Sequence, residues 1–294
     1  MSGDQGLELC GLRLAHRVLN GSGTFDAIAA RRAFGDAIQE RFPFAAFVSK
    51  TITPQPREGN PPPRLFETPS GMINSIGLPN KGLAGFLEAD LPLLAELPVP
   101  LIVSVMGTSR EEFAELVEGV AGREEVAALE LNVSCPNVKS GLIVGEQPAE
   151  TRALLKALRG LTPKPLIVKL TPNVAEPEAI AIAAQEGGAD AVSLVNTLRA
   201  TAIAPVGEEP WLGAGSGGLS GPAIKPVALE QTGRVAAAVS IPVIGMGGIE
   251  SGRDAAEFIA AGASAVAVGT ASFRDPLAAT RVRLELEQVL ATTP

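Results

Sequence analysis

The chain has 294 residues, a net charge of −8, two cysteines, one histidine and no tyrosine. That acidic balance excludes nucleic acid and anionic membranes as default partners, and two cysteines supply neither the ligands of an iron–sulfur cluster nor a disulfide framework. Hydrophobic residues make up 46% and aromatics only 4%, so Ala, Val, Ile and Leu must fill the core, as in close helix-on-sheet packing.

The opening MSGDQGLELCGLRLAHRV carries Asp4 and Glu8 and lacks the basic-then-apolar order of a secretion signal. No apolar run reaches the roughly 20 residues that span a bilayer. A cytoplasmic protein with reduced Cys10 and Cys135 is therefore expected. Short β-branched runs then alternate with segments of helical character. Strand 17–22 leads to helix 26–41, strand 45–52 to helix 80–95, strand 100–106 to helix 109–122, and strand 127–134 to helix 148–160. Strand 165–171 leads to helix 176–187, strand 190–196 to helix 222–239, strand 241–246 to helix 251–262, and strand 264–269 to helix 276–291. Strict alternation of eight such pairs, with strands too apolar to face water, predicts an α/β fold in one domain over 1–294: a closed parallel (β/α)8 barrel of the TIM type. The connections 53–79 and 198–221 are too long to be turns. Both follow strands, so both lie over the C-terminal face, where they predict a lid or a partner surface.

Polar residues gather at the strand ends: Ser22, Ser49 with Lys50, Asn132 with Cys135, Lys169, Asn196 with Thr197, Gly247 with Gly248, and Gly269 with Thr270. Lys50 and Lys169 read as buried ammonium groups, which need a charged or polar partner. The last two strands run into IGMGGIESGRDA and AVGTASFRDP, glycine loops that open helices. Backbone N–H groups and a helix N-terminus make such loops a phosphate site, and neither matches a Rossmann or P-loop pattern. Asn74, Asn132 and Asn196 offer the paired donor and acceptor that a pyrimidine edge needs, although a lone asparagine at a strand end equally caps a turn. His16 precedes the first strand, at the far end of the barrel. Cys135 therefore stands as a candidate base at the mouth, with an inert buried thiol as the competing reading.

The motifs LELNVSCPNVKSG, NPPPRLFETPSGMINSIGLPNKG, SLVNT, GGLSGPAIKPVAL and IPVIGMGGIESGRDA resemble those of the class 1 dihydroorotate dehydrogenases, over almost the whole chain. REGNPPPRLFETPSGMINSIGL is most similar to the NAD-linked subtype, class 1B. The resemblance implies that Cys135 removes the C5 proton of dihydroorotate while hydride passes from C6 to N5 of FMN, giving orotate. It implies that Asn74, Ser75, Ile76, Gly77 and Leu78 hold the substrate, with N–H groups near Gly77 facing its carboxylate. Asn132 would lie between flavin and substrate, Asn196 and Thr197 would bind the pyrimidine edge, and Lys50 would touch both ligands. Lys169 would sit by the flavin ring, and Ser22, Thr51, Val195, Gly221, Gly247, Gly248, Gly269 and Thr270 would complete the FMN site. The segment 136–147 would be a closing loop; its Ser140-Gly141 departs from the two glycines common there. The resemblance further implies a homodimer within a heterotetramer, whose second subunit carries FAD and a [2Fe–2S] cluster.

Other readings remain open on the residues alone. They are a fumarate-linked class 1A homodimer, a related flavin barrel acting on dihydrouracil, a lyase or isomerase using Lys169 as a Schiff base, and a non-catalytic phosphate-ligand subunit. Trp211, in the second long connection, reads as a packing anchor for that loop.

Overall fold

A computed structural model describes residues 6–134, 144–204 and 208–292. Eight parallel strands form one sheet: β1 (Val18–Asn20), β2 (Phe47–Val48), β3 (Leu101–Val105), β4 (Val126–Asn132), β5 (Leu166–Lys169), β6 (Ala191–Leu194), β7 (Val243–Met246) and β8 (Ala265–Val268). From β2 to β8 each strand pairs with its sequence neighbour, and β8 pairs with β1. The seam between β1 and β2 closes differently. Ala45 N–H donates to the Val18 carbonyl at 2.9 Å, and the buried Asn20 amide both donates to the Val48 carbonyl and accepts from the Val48 N–H, each at 2.8 Å. The strands expected from the sequence are the strands observed, within a few residues at each end.

The period of two along the strands sorts side chains between two apolar layers. Leu19, Ala46, Val48, Ile102, Ala128, Ile167, Ala191, Ile244, Ala265 and Ala267 fill the barrel. Their alternates, such as Val103, Leu129, Leu131, Val168, Val192 and Val266, pack outward against the helices. Small alanines inside and β-branched residues outside explain how a chain so poor in aromatics closes a barrel. A hairpin of Leu7–Leu9 and Leu12–Leu14, turning at Cys10 and Gly11, adds Leu7, Leu9, Leu12 and Leu14 to the same interior layer, plugging the N-terminal floor. Its signal was present in the alternation LELCGLRL, and strand reading from 17 onward passes over it. His16 lies in the same region, buried, with its Nδ1 accepting from the Val18 N–H at 3.2 Å.

The outer layer comprises α1 (Ala27–Phe34), α2 (82–94), α3 (Arg110–Ala121), α4 (Pro148–Arg159), α5 (Pro177–Gly187), α6 (Lys225–Ala238), α7 (Gly252–Ala260) and α8 (Ala278–Thr292). Helix starts follow local chemistry. Asp26 and Ser109 accept from the N–H groups of Ala29 and Glu112, and Ser251 forms a reciprocal capping box with Asp254. Within α2 a π turn over Phe86–Asp90 precedes Pro92, which lacks the N–H that a regular turn would use.

The two long connections do not lie apart. Leu65–Thr68, Gly71–Asn74, Gly217–Ser220 and Leu198–Ala200 form a single antiparallel sheet over the C-terminal face. Trp211 ties them together: its indole N–H donates to the Leu65 carbonyl at 3.1 Å, and its ring meets Phe66 edge-on at 6.0 Å. The anchor therefore serves both connections.

Candidate active site

The mouth of the barrel is bounded by the ends of β1–β8 and by the antiparallel sheet above them. Register places the polar interior residues one step beyond the apolar layer. Asn132 on β4 pairs with Lys169 on β5, and Lys169 pairs with Ser193 on β6. Lys169 is buried at 6% exposure, and its ammonium makes no hydrogen bond or ion pair with a described residue. Lys50 departs from expectation: it is exposed, because β2 ends at Val48 and the chain has left the sheet by residue 50, so no desolvation cost has to be offset there.

Asn132, Ser134 and Asn196 form a compact cluster. The Ser134 hydroxyl donates to Asn132 Oδ1 at 2.6 Å, and the Asn196 amide donates to the Ser134 oxygen. Asn132 Nδ2 is left with no partner among the described residues, a free donor at the mouth. The Thr197 N–H donates to Asn196 Oδ1 at 2.9 Å, and Asn173, which the sequence reading passes over, donates to the Thr197 carbonyl at 3.1 Å. Cys135 and the segment 136–143 lie outside the described residues. Ser134 brings the backbone to within one residue of that cysteine.

The loop Asn74 to Leu78 has a marked polarity. Its carbonyls at Ile76, Gly77 and Leu78 accept from the Asn60 N–H, the Arg57 guanidinium and the Asn80 amide. The N–H groups of the same three residues donate to nothing among the described residues. The segment 57–64 thus holds the loop from outside, and Asn60 also donates to the Ser75 hydroxyl at 2.9 Å. Gly77 has φ +77, and a Cβ there would meet Asn60 N at 2.4 Å, so only glycine lets the two segments approach. Asn74 itself donates to the Gly218 carbonyl at 3.2 Å, across the sheet. A concavity lined by unpaired N–H groups suits an anion such as a carboxylate.

At the ends of β7 and β8, the N–H groups of Gly247, Gly248, Gly269 and Thr270 likewise have no acceptor among the described residues. Gly248, at φ +72, comes close to Gly221: an added Cβ would lie 2.8 Å from the Gly221 carbonyl oxygen. A Cβ on Gly221 would in turn lie 3.5 Å from Thr270. Three loops therefore converge on one set of free donors, as a phosphate requires. The nearest lysine, Lys225, is already committed to Asp254 and Glu257. Burial pushes its ammonium down, and the two carboxylate hydrogen bonds more than offset that and hold it raised. Recognition of a phosphate would rest on backbone donors. Val195, whose N–H donates to the Met246 carbonyl at 2.9 Å, lies between this cradle and the asparagine cluster.

Beneath the mouth runs a chain of hydroxyls. Ser22 donates to the Ser49 carbonyl at 2.8 Å and lies 3.2 Å from Thr51 Oγ1, which lies 2.9 Å from Ser104 Oγ. Ser104 and Ser193 donate to the two carboxylate oxygens of Glu130, at 3.3 and 3.0 Å. Glu130, Ser104 and Ser193 stand in mid-strand inside the barrel, not at strand ends where polar residues were expected, and an apolar-run reading hides them. The signal for Glu130 was a carboxylate at an inward position two residues before Asn132.

Among the described residues, no group of three or more His, Cys, Asp or Glu side chains is placed to hold a metal, and no helix is long and apolar enough to cross a membrane. The family model described as dihydroorotate dehydrogenase matches residues 7–290. A Citrifermentans bemidjiense protein named dihydroorotate dehydrogenase B (NAD(+)), catalytic subunit, is 46% identical over 288 residues, covering 98% of this chain and 93% of its own. Proteins of the same name from Pelobacter propionicus and Desulforudis audaxviator are 47% and 48% identical, covering 99% and 96% of this chain and 94% and 91% of theirs.

Proposed function

Because this chain belongs to the dihydroorotate dehydrogenase family, we propose that it is the catalytic subunit of a cytoplasmic, NAD-linked enzyme that oxidises (S)-dihydroorotate to orotate in pyrimidine biosynthesis. One observation carries the reading: two separate sets of N–H groups with no acceptor among the described residues, at Ile76–Leu78 and at Gly247, Gly248, Gly269 and Thr270, flank one polar barrel mouth. A ligand pair with a carboxylate at one end and a phosphate at the other suits two such sets of donors, and dihydroorotate with FMN is such a pair.

FMN, when bound, supplies the hydride acceptor for C6 of the substrate. The chain's own residues do the rest. Gly247, Gly248, Gly269 and Thr270 hold the ribityl phosphate, with Ser22, Thr51, Val195 and Gly221 completing the cradle. Lys169 places its ammonium by the ring, where positive charge favours an anionic reduced form. Asn74, Ser75, Ile76, Gly77 and Leu78 orient the substrate, Asn196 and Thr197 read its amide edge, and Asn132 and Lys50 face both ligands. Cys135 takes the C5 proton. Segment 136–147 closes over the substrate and excludes water.

The relatives' name, which includes NAD(+) and the words catalytic subunit, supports a second chain in the electron path. That chain would carry FAD and a [2Fe–2S] cluster, since the two cysteines here cannot ligate one, and a homodimer of this chain would form the centre of a heterotetramer. Purified protein is expected to be yellow, and anaerobic dihydroorotate should bleach the flavin absorbance. A folded protein that cannot be loaded with FMN overturns the reading; one that oxidises only dihydrouracil, or passes electrons to fumarate and not to NAD through a co-expressed partner, overturns its finer part.

A further inference from the structure

Glu130 has no part in the chemistry just described, yet it is the most unusual residue inside the barrel. It is 2% exposed, sits on β4 one inward position below Asn132, and has both carboxylate oxygens accepting from serine hydroxyls. Burying a carboxylate costs several kcal/mol unless something nearby compensates. The two serines offset part of that. Among the described residues no cation lies within ion-pair distance, but Ser193, which donates to Glu130, is the register partner of Lys169 on the neighbouring strand. The inward-facing stretch of the barrel thus holds a carboxylate on β4 and, one inward position higher on the adjacent strand β5, an ammonium, with Ser104 level with Glu130 and Ser193 level with Lys169. Ser104 and Ser193 are fully buried and Glu130 nearly so, so solvent screens the carboxylate only weakly.

We propose that Glu130 is a positioning residue whose charge, held in place by Ser104 and Ser193, offsets the positive field that Lys169 projects into the barrel mouth, and so limits how strongly the site favours an anionic ligand form. This rests on FMN being the bound ring. It makes Glu130 the negative half of a pair whose positive half faces the flavin, and predicts opposite effects from neutralising each.

The test measures the affinity of the protein for oxidised and for reduced FMN, with the ratio read as the flavin midpoint potential. Glu130→Gln keeps the shape, and its amide can still accept from one serine and donate to the other. The ratio should rise about tenfold in favour of reduced FMN, for removal of one charge in a medium of effective dielectric constant about 20. Lys169→Met should move it the other way, and the double variant should return close to the wild-type value. If Glu130→Gln does not accumulate as folded protein, Glu130→Leu with Ser104→Ala and Ser193→Ala removes the same charge with no orphaned hydroxyl, and should displace the ratio in the same direction. A Glu130 variant that lowers the unfolding midpoint while leaving the ratio unchanged would overturn the proposal, as would a double variant displaced as far as Glu130→Gln alone. Wild-type protein that takes up no FMN would overturn both this inference and the function it rests on, whereas wild type that takes it up with unshifted variants overturns this inference alone.

Discussion

Cys10 sits in the hairpin that plugs the barrel floor, where burial, and then the charge of Asp190, push its thiol up to about 12. A thiol raised above its ordinary 9.0 contributes stability that is fully present below that value and is lost as pH climbs towards 12. Cys10 therefore stays protonated at neutral pH, and Cys135, the proposed base, follows the Asn132–Ser134–Asn196 cluster by one residue in sequence. Cys135→Ser should keep FMN and orotate binding while slowing flavin reduction by dihydroorotate about 10²–10⁴-fold, the usual worth of a positioned base. The same variant isolates Cys10: alkylation at pH 8 should be slow in the native protein and fast once urea unfolds it. Stopped-flow reduction at the wild-type rate would remove Cys135 from the mechanism, and rapid native alkylation would contradict the burial of Cys10.

At the level of elements, the barrel strands and helices were legible because each is a local pattern: a β-branched run, a cap, an amphipathic stretch. The antiparallel sheet over the mouth was not, since GMIN and GGLS show no alternation and pair only because two distant loops are brought over the same face. The site divides in the same way. Strand-end residues such as Lys169 and Asn196 announce themselves as polar interruptions of apolar runs. Asn173, which holds the Thr197 carbonyl, lies in a loop where asparagine is unremarkable. The exposure of Lys50 depends on where a two-residue strand stops, which no propensity fixes. Trp211 joins the two halves of the sheet that carries Asn74 and borders Thr197, so under the proposed roles of those residues its loss should act on substrate geometry. Trp211→Ala removes one hydrogen bond and one edge-on ring contact, and should cost about 1–3 kcal/mol in urea unfolding. KM for dihydroorotate should rise with FMN affinity unchanged. A variant that instead sheds FMN, with KM intact, would place the sheet over the cofactor and not the substrate.

For the molecule as a whole, the decisive contact is the one that makes a sheet into a barrel. Seven of the neighbouring strand pairs are held by backbone ladders; between β1 and β2 the strands are three and two residues long, and side chains complete the closure. Asn20 takes both bonds that a ladder would give Val48, and Ser22 takes the Ser49 carbonyl. Only an amide has a donor and an acceptor in that arrangement: aspartate at 20 would accept from the Val48 N–H and face its carbonyl with no proton to offer. Asn20→Ala leaves a buried N–H and a buried carbonyl unpaired, at about 2–5 kcal/mol together. Because Ser22 and Thr51 flank the same seam and belong to the proposed FMN site, the loss should reach the cofactor as well. A ligand that binds only the folded state stabilises it by RT ln(1 + [L]/Kd), so the gap between unfolding midpoints with and without a fixed concentration of added FMN reads its affinity. In Asn20→Ala both midpoints should fall and the gap should narrow; in Ser22→Ala, which spares the Val48 pairing, the gap should narrow with a smaller fall in the FMN-free midpoint. Equal gaps in wild type and Asn20→Ala would mean that closure of the barrel and the binding of its cofactor are independent.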